Sequence, residues 1–423
     1  MRARLGLPMV LIVSAVLAPV GRAASVERAR DIGVPFEGAP GPLNAITDVP
    51  GVEVGQVSLV SGQGPLKVGV GPVRTGVTII FPRGRANSQP VYGGFFNLNG
   101  NGEMTGQSYL QDFGVIQGPI GITNTNAIGQ VYAGIQSWTQ QHFGEAADPV
   151  VAETWDGELN DIRGFHVRPE TAIAAIEAAK SGAITEGSVG GGTGMECFGF
   201  KGGIGTASRK IALGAHSYMV GALVQCNTGD RKVLRIAGAP VGQALSARWL
   251  PCYDSHLSPP EKQPKCAGSA SAGTPPPDAG SIIIVVGTNA PLIPTQLHRL
   301  AKRAALGLAR LGSYSGNSSG DLIVAFSTAA SLVNHPDQSA PSPIAPVASQ
   351  DIDPLFEGVV ESTEEAIVNA MVAAPTMTGA DGFRLFGLPH EELREILKRY
   401  GRLAGGGDRA KLMWAECAAA GQL

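Results

Sequence analysis

The chain is poor in charged, aromatic and cysteine residues, and each shortage excludes a class of protein. Of its 423 residues, 16% are charged and 6% are aromatic, and the net charge is −3. Lysine and arginine do not cluster, so the basic surface of a nucleic-acid-binding protein is absent. The five cysteines lack the spacing of a metal site, and His390-Glu391-Glu392 lacks the second histidine of a zinc helix. We therefore expect no nucleic-acid partner, no metal and no nucleotide cofactor.

Long apolar runs are also absent, except at the N-terminus. Arg2 and Arg4 precede an apolar stretch at residues 5–20, and Gly21-Arg22-Ala23 has the small-x-small pattern of a signal-peptide cleavage site. The alternative is an uncleaved membrane anchor, although the stretch is short for a span. The sequence predicts a signal peptide at residues 1–24, export to a bacterial periplasm or secretion, and no membrane association after its removal.

Glycine, in contrast, is abundant, with 58 residues, and 43% of the chain is hydrophobic. This composition is typical of a well-packed globular protein with many tight turns and close backbone contacts. The length suffices for one large domain or two ordinary ones. Predicted strands and helices come in mixed order, which favours an α+β or layered α/β fold over regular βαβ winding.

Local patterns predict the following elements. The predicted strands are residues 52–60, 77–81, 91–98, 119–123, 149–154, 217–226, 281–286 and 321–327. The predicted helices are residues 124–143, with an amide or hydroxyl cap, 169–180, 294–311, 362–373 and 391–402. We expect turns and a hairpin in the glycine-dense residues 187–208, and Pro-rich loops at residues 259–280 and 334–350.

The rest of the chain is organised around the segment 278–289. A small-residue turn runs directly into five β-branched residues, which predicts a buried strand with Ser281 as its first residue. A serine at such a junction is ordinarily a turn residue. If the Gly280–Ser281 bond is cut, however, Ser281 gains a free α-amine beside its hydroxyl, with a reference pKa of about 7.7–8. An adjacent amine of this kind activates a weak nucleophile.

Seven short segments stand out along the chain: NGNGEMTG (99–106), AET (152–154), GGGTGM (190–195), FKGGIGTAS (200–208), LVQCN (223–227), GS (280–281) and GTNAPL (287–292). In these segments and in their order, the chain resembles the DmpA/BapA-type aminopeptidases, peptidase family S58, over nearly all of its mature length. The resemblance implies a four-layer α-β-β-α sandwich and self-cleavage between Gly280 and Ser281. The products would be an α chain (25–280) and a β chain (281–423), and four αβ units would form a tetramer.

The resemblance also implies roles for three polar residues. Asn227, at the end of a predicted strand, matches the oxyanion-hole position, although its spacing alone is equally that of a hairpin turn. Ser319 and Asp321 match a second active-site serine and its acidic neighbour. Two residues apart in an extended chain, they point to the same side, but they could equally cap the strand that follows. Some family members have Glu where this chain has Asp321. The aspartate side chain is shorter than glutamate, so the role of Asp321 stays open.

Two more residues are candidates for substrate binding. Glu153 follows an apolar run and matches the family's Ala-Glu-Thr motif, so the resemblance implies that it binds the substrate's ammonium by a charge-assisted hydrogen bond. A surface or salt-bridged glutamate is the alternative. Trp155 stands where the family has Tyr or another residue, so a tyrosine hydroxyl is missing there. Its indole can wall a pocket and donate one N–H.

The cysteines leave an alternative open. Cys252 and Cys266 would close a disulfide across the Pro-rich loop in an oxidising compartment, with a gain of roughly 3 kcal/mol; otherwise they are free thiols. Cys197 and Cys226 lie in apolar runs, and we expect them to be buried, unreactive thiols.

Two patterns are rejected as active-site motifs. Residues 316–320 have the outline of a G-x-S-x-G elbow, but a strand follows instead of a helix. His298 lies one turn into a predicted helix and is expected to be structural or solvated, and not the base of a catalytic triad.

The sequence therefore predicts a self-processing serine aminopeptidase. Its substrates would be small peptides, amino-acid amides or esters with an N-terminal β-amino or small α-amino residue. Two alternatives remain: an acyltransferase like the ornithine acetyltransferase relatives, which use threonine as the nucleophile, and a non-catalytic periplasmic binding protein.

Overall fold

The computed structural model describes residues 27–266, 280–329 and 346–404. The predicted signal peptide lies outside the described residues. So do most of both predicted Pro-rich loops and the C-terminal end of the proposed β chain.

The described residues form fifteen strands and seven helices. The strands are β1 (Glu53–Ser61), β2 (Val73–Phe81), β3 (Val91–Gly100), β4 (Val115–Ile116), β5 (Ile120–Asn124), β6 (Val150–Thr154), β7 (Glu196–Cys197), β8 (Phe200–Lys201), β9 (Gly203–Leu213), β10 (His216–Asn227), β11 (Cys252–Tyr253), β12 (Ser281–Thr288), β13 (Gly320–Ser327), β14 (Met377–Thr378) and β15 (Phe383–Leu385). The helices are α1 (Gln107–Phe113), α2 (Ile128–Phe143), α3 (Pro169–Glu177), α4 (Val241–Ala244), α5 (Pro294–Arg310), α6 (Asp353–Val372) and α7 (His390–Arg399). None of these helices has the length and hydrophobicity needed to span a membrane.

Two mixed sheets form the centre of the molecule. The four-stranded sheet has the order β1-β2-β5-β6, and the six-stranded sheet has the order β4-β3-β13-β12-β10-β9. Neighbouring strands are antiparallel except for β5 with β6 and β12 with β13. The two parallel pairs explain why strands and helices alternate in part of the sequence while hairpins dominate elsewhere.

The sheets stack face to face between two layers of helices. Residues of both sheets, among them Ile122 and Ile283, share one buried apolar cluster. The helices α2 and α3 cover the outer face of the four-stranded sheet, and α5 and α6 cover the outer face of the six-stranded sheet. The fold is therefore α+β, a four-layer α-β-β-α sandwich, as the resemblance implied.

The strand β12 shows why a run of β-branched residues was the strongest signal. Ile283 and Val285 face the other sheet, whereas Ile282, Ile284 and Val286 face the helices. Because successive side chains of a strand point to opposite faces, a strand that is covered on both sides carries apolar residues at consecutive positions, as residues 282–286 do.

Two expectations about helices are wrong. The helix α6 begins at Asp353 and not at residue 362; most of its residues are buried, Glu361 and Glu365 among them, so its polar residues do not mark one solvent-exposed face. The helix α2 has no side-chain cap at Ala127. The polar residues before it point inward instead, since the Asn124 amide donates to Thr75 and the Thr125 hydroxyl donates to Glu153.

The cysteines form two disulfides. Cys252 and Cys266 are bonded, with an S–S distance of 2.02 Å. The expectation that Cys197 and Cys226 are free thiols is wrong, because they too are bonded, at 1.98 Å. Both were correctly expected to be buried, but no local pattern indicates that these two apolar segments, 29 residues apart, lie side by side.

Candidate active site

Three strand ends meet at Ser281. As the first residue of β12, Ser281 lies opposite Asn227, the last residue of β10, and beside Gly320, the first residue of β13. Ser281 and Asn227 are 6% and 7% exposed, so both lie almost entirely below the surface of the uncut chain. The central strands of the six-stranded sheet thus bring together residues that are far apart in the sequence.

Gly280 is pressed against the end of β10. A Cβ atom at this position would lie 2.1 Å from the main-chain oxygen of Asn227 and 3.0 Å from the Cα atom of Thr228. No other residue fits without moving the chain. The glycine therefore allows the Gly280–Ser281 peptide bond to lie directly beside Asn227.

The main-chain N–H of Gly320 contacts both sides of this peptide bond. It donates to the Ser281 hydroxyl at 3.2 Å and to the Gly280 carbonyl oxygen at 3.1 Å. Gly320 packs closely against Asn101, since a Cβ atom at residue 320 would lie 2.5 Å from the main-chain oxygen of Asn101. The chain that carries this donor therefore has little room to shift toward Asn101.

Ser319 and Asp321 flank Gly320. The Ser319 hydroxyl donates to Asp321 Oδ1 at 2.6 Å and lies 3.3 Å from the Thr228 hydroxyl. Both residues are fully buried. They therefore point to the same side, as their spacing suggested, and they lie next to the residue that contacts Ser281.

The turn before β13 is held by the glycine- and asparagine-rich end of β3. Asn101 donates through its amide to the Ser318 carbonyl at 2.6 Å, and Asn99 donates to the Gly316 carbonyl at 2.6 Å. The strand β13, and no helix, follows this turn, so the rejection of a G-x-S-x-G elbow is confirmed.

The orientation of the Asn227 amide is fixed. Its Oδ1 atom accepts the main-chain N–H of Glu196 at 2.8 Å. Because the oxygen is used in this way, the amide group offers its N–H donors to other partners. Asn227 is the last residue of an extended strand, and it does not form the hairpin turn that was the alternative interpretation.

Glu153 lies close to the same residues. Gly102 lies between Glu153 and Gly320. A Cβ atom on Gly102 would lie 3.2 Å from Glu153 Oε1 and 3.4 Å from the Cα atom of Gly320. The Glu153 carboxylate is 4% exposed and accepts bonds from the Glu103 N–H, at 3.1 Å, and from the Thr125 hydroxyl. Burial raises its pKa, and these two bonds oppose the rise.

No cation neutralises Glu153 among the described residues: none of their ion pairs includes it. A buried carboxylate without a counter-charge is costly. The alternative of a salt-bridged surface glutamate is thus wrong for this part of the chain, and the arrangement suits a ligand that brings its own positive charge.

Trp155 is not part of this cluster. Its side chain is 45% exposed and lies over Gly157, where a Cβ atom would be 2.3 Å from the indole ring. The structure therefore places it at the surface two residues from Glu153, and its role in substrate preference stays a prediction.

The sequence profile of peptidase family S58 matches residues 44–385. The chain belongs to peptidase family S58. It is 50% identical to the "Beta-peptidyl aminopeptidase BapA" of Sphingosinicella microcystinivorans, over 93% of this chain and 97% of that protein.

Solved structures agree with this assignment. An L-aminopeptidase D-Ala-esterase/amidase from Ochrobactrum anthropi, described as a variant of the Ntn hydrolase fold, has 41% identity and a TM-score of 0.78, over 89% of this chain and 99% of that chain. A β-aminopeptidase from Burkholderia sp. has 40% identity and a TM-score of 0.76 over the same shares. The S58 chain is therefore an aminopeptidase of the N-terminal-nucleophile type, and neither the acyltransferase nor the non-catalytic binding protein is favoured.

Sequence reasoning also missed a buried lysine in the segment next to this S58 site. Lys201 is fully buried, and its Nζ donates to the carbonyls of Met195, at 2.8 Å, and Gly202, at 2.7 Å. Burial lowers its pKa to about 7, although Glu196 and Asp156 oppose the shift. Nothing local in the FKGG segment marks its lysine as buried, because lysine is among the residues most often exposed.

Proposed function

We propose that this S58 aminopeptidase cuts its own chain between Gly280 and Ser281 and then uses Ser281 as its nucleophile. One observation carries the proposal: the Gly320 N–H donates both to the Ser281 hydroxyl, at 3.2 Å, and to the Gly280 carbonyl oxygen, at 3.1 Å. The attacking group and the carbonyl of the scissile bond share one donor. Such a donor stabilises the negative charge that develops on the carbonyl oxygen.

The first reaction is self-cleavage. The Ser281 oxygen attacks the carbonyl carbon of Gly280, the C–N bond between the two residues breaks, and the hydroxyl proton passes to the departing amine. Water then hydrolyses the resulting ester. The reaction leaves a carboxylate on Gly280, at the end of an α chain (25–280), and a free α-amine on Ser281, at the start of a β chain (281–423).

The second reaction is hydrolysis of the substrate. The free amine of Ser281, with a reference pKa of about 7.7–8, takes the hydroxyl proton while the oxygen attacks the substrate carbonyl. Asn227, opposite Ser281 in the strand register, donates through its amide to the oxyanion. The Ser319–Asp321 pair orients the amine. The proton passes to the leaving amine or alcohol, and water hydrolyses the acyl-enzyme.

Glu153 selects substrates with a free N-terminal ammonium. Its buried carboxylate binds that ammonium by a charge-assisted hydrogen bond, and the distance between the ammonium and the reacting carbonyl sets which acyl residues fit. The similarity to a β-peptidyl aminopeptidase supports N-terminal β-amino residues, together with small α-amino residues, on peptides, amides or esters. Trp155 at the surface modifies this preference.

The assembly and the compartment are part of the proposal. After the cut, β12 and β13 of the β chain stay paired with β10 and β3 of the α chain, which supports a stable αβ heterodimer. We propose a tetramer of αβ units, as the resemblance to peptidase family S58 implies. The two disulfides support an oxidising compartment, in keeping with a cleaved signal peptide and a periplasmic or secreted enzyme.

Intact-mass measurement under denaturing conditions tests the self-cleavage. Wild type should give two fragments, with the smaller one starting at Ser281, and Ser281→Ala should give one uncut, inactive chain. Ser217→Ala, which removes an exposed serine at the far end of β10, is the control and should be cut like wild type. A single uncut chain in active wild-type protein would overturn the proposal.

A further inference from the structure

The residue proposed as oxyanion donor lies at a poorly supported end of its strand. The strand β10 pairs with β9 only as far as Cys226, which lies opposite Gly203. Within the described ranges, Asn227, one residue further, has a strand partner only on the other side, where it faces Ser281. Its position therefore depends on whatever holds it on the β9 side.

The segment 196–198 provides that support through three links. The main-chain N–H of Glu196 donates to Asn227 Oδ1 at 2.8 Å. Cys197 is bonded to Cys226, with a Cα–Cα distance of 5.5 Å. The N–H of Phe198 donates to the carbonyl of Thr228 at 2.7 Å. The disulfide is the covalent link in the middle, one residue away from each of the two hydrogen bonds.

Self-cleavage makes this support more important. In the uncut chain Gly280 lies so close to the main-chain oxygen of Asn227 that a Cβ atom at residue 280 would be only 2.1 Å from it. After the cut, Gly280 is the free end of the α chain and is no longer tied to Ser281. Gly280 is then free to move away from Asn227, whereas the disulfide between the segment 196–198 and β10 remains.

The second disulfide is a natural comparison. Cys252 and Cys266 are separated by 14 residues and join β11 to the loop before the cleavage site, where Cys266 donates its N–H to Tyr253. None of the hydrogen bonds described above for Ser281, Asn227, Glu153 or Ser319 involves either cysteine. The two disulfides thus differ in their distance from the reacting groups and not in their chemistry.

We propose that the Cys197–Cys226 disulfide is a positioning element of the active site: it holds the segment 196–198 against the end of β10, so that the Asn227 amide stays directed at the carbonyl under attack. The inference rests on the proposed role of Asn227 as oxyanion donor. It assigns a function in turnover to a bond that would otherwise be regarded as a stabilising cross-link.

Paired variants test the inference. The double variant Cys197→Ala/Cys226→Ala is compared with the control Cys252→Ala/Cys266→Ala, with β-alanine p-nitroanilide as the substrate. The concentration of active sites is taken as the concentration of β chains that start at Ser281. Removal of one oxyanion donor lowers kcat by about 10²–10³-fold, so loosening it should lower kcat about tenfold. We expect KM to change by less than about twofold, because the ground state gains little from this donor. The control variant should keep the wild-type kcat and KM.

Binding of an inhibitor separates positioning from general stability. A β-amino aldehyde that forms a tetrahedral adduct with Ser281 needs the oxyanion donor, whereas a β-amino alcohol of the same length does not. The variant without Cys197–Cys226 should bind the aldehyde about tenfold more weakly and the alcohol as wild type does. Equal weakening of both, or a wild-type kcat in this variant, would overturn the inference.

Graded reduction provides a test if that variant does not fold. Mature wild-type enzyme is treated with increasing tris(2-carboxyethyl)phosphine and assayed, and the open cysteines are then identified by alkylation and peptide mass. We expect kcat to fall in step with the opening of Cys197 and Cys226 and not with that of Cys252 and Cys266. Full activity with Cys197 and Cys226 open would overturn the inference.

These results are distinguishable from failure of the proposed function. If Asn227→Ala, purified as cut enzyme, keeps the wild-type kcat, then the oxyanion role itself is wrong. If Asn227→Ala loses activity while Cys197→Ala/Cys226→Ala does not, only the role of the disulfide is wrong.

Discussion

Two buried carboxylates in this molecule have opposite electrostatic surroundings. Glu365, on α6, is fully buried and is held by two arginines: Arg30 at 2.7 Å and Arg209 at 2.8 Å. Burial opposes its ionisation, but the Arg30 hydrogen bond and the charges of Arg209 and Arg30 outweigh it, so that its pKa lies below its usual value. Among the described residues, only neutral donors contact Glu153, the Glu103 N–H and the Thr125 hydroxyl, and burial raises its pKa.

The difference separates a structural charge from one kept for a ligand. A buried ion pair whose members satisfy each other has nothing left for a substrate. A buried carboxylate that has hydrogen bonds but no counter-charge among the described residues can still form an ion pair with a charged ligand. The comparison therefore supports Glu153, and not the more conspicuous cluster around Arg209, as the ammonium-binding group.

The largest expected effect is on the paired carboxylate. Glu365→Gln removes one charge from a buried cluster and leaves Arg209 and Arg30 incompletely compensated, so the free energy of unfolding should fall by about 3–5 kcal/mol. The activity of each folded molecule should stay at the wild-type level. Denaturant unfolding measures the loss. Glu37→Gln, at an exposed ion pair with Arg310, is the control and should change stability by less than about 1 kcal/mol.

The opposite result is expected for the unpaired carboxylate. Glu153→Gln keeps the shape but not the charge, and it should lower kcat/KM by about 10–100-fold, since a hydrogen bond to a charged group is worth about 1.5–3 kcal/mol. Stability should be unchanged or higher, because the variant no longer buries a charge. Steady-state kinetics and thermal unfolding of the same sample check both. A clear loss of stability with unchanged kcat/KM would mean that Glu153 is structural.

The raised pKa of Glu153 predicts a pH dependence with a definite sign. Ammonium binding needs the ionised carboxylate, so KM should rise as the pH falls through a pKa that lies above the usual range of glutamate. The folded state, in contrast, loses stability as the pH rises through that pKa, because ionisation is penalised more in the folded than in the unfolded chain. In Glu153→Gln the rise of KM at low pH should disappear. If KM of this variant still rises at low pH, another group is responsible.

The smallest effect is expected at Trp155. Because the indole is half exposed and does not touch the cluster, Trp155→Ala should change KM by only a few-fold and leave kcat unchanged. The change should depend on the acyl residue of the substrate, which a comparison of β-alanine and α-alanine p-nitroanilides measures. An equal loss of kcat for both substrates would place Trp155 in the catalytic machinery instead.

Part of this arrangement was predictable because it depends on short, continuous segments of the sequence. The β-branched run of β12 and the small residues before it gave the strand and placed Ser281 at its first position. Spacing alone suggested that Ser319 and Asp321 share a side. The strand register was not predictable in this way, since β10 and β13 reach Ser281 through long-range pairing, and only the family resemblance connected Asn227 and Ser319 to it.

The missed features have a common physical reason. The Cys197–Cys226 bond, the start of α6 and the burial of Lys201 all depend on what packs around a segment and not on the segment itself. A helix whose residues are mostly buried does not mark one solvent-exposed face, and a lysine that donates to main-chain carbonyls looks like any other lysine in sequence. The donor role of Gly320 was equally invisible, because it belongs to the main chain.

The most direct test of the account is to trap the acyl-enzyme. Mature enzyme is mixed with excess β-alanine p-nitrophenyl ester and quenched in acid, and the acylated residue is located by peptide mass. The account predicts one β-alanyl group per β chain, on the N-terminal peptide at Ser281. An acyl group on Ser319 or elsewhere, or rapid turnover without any trapped acyl group at Ser281, would contradict it.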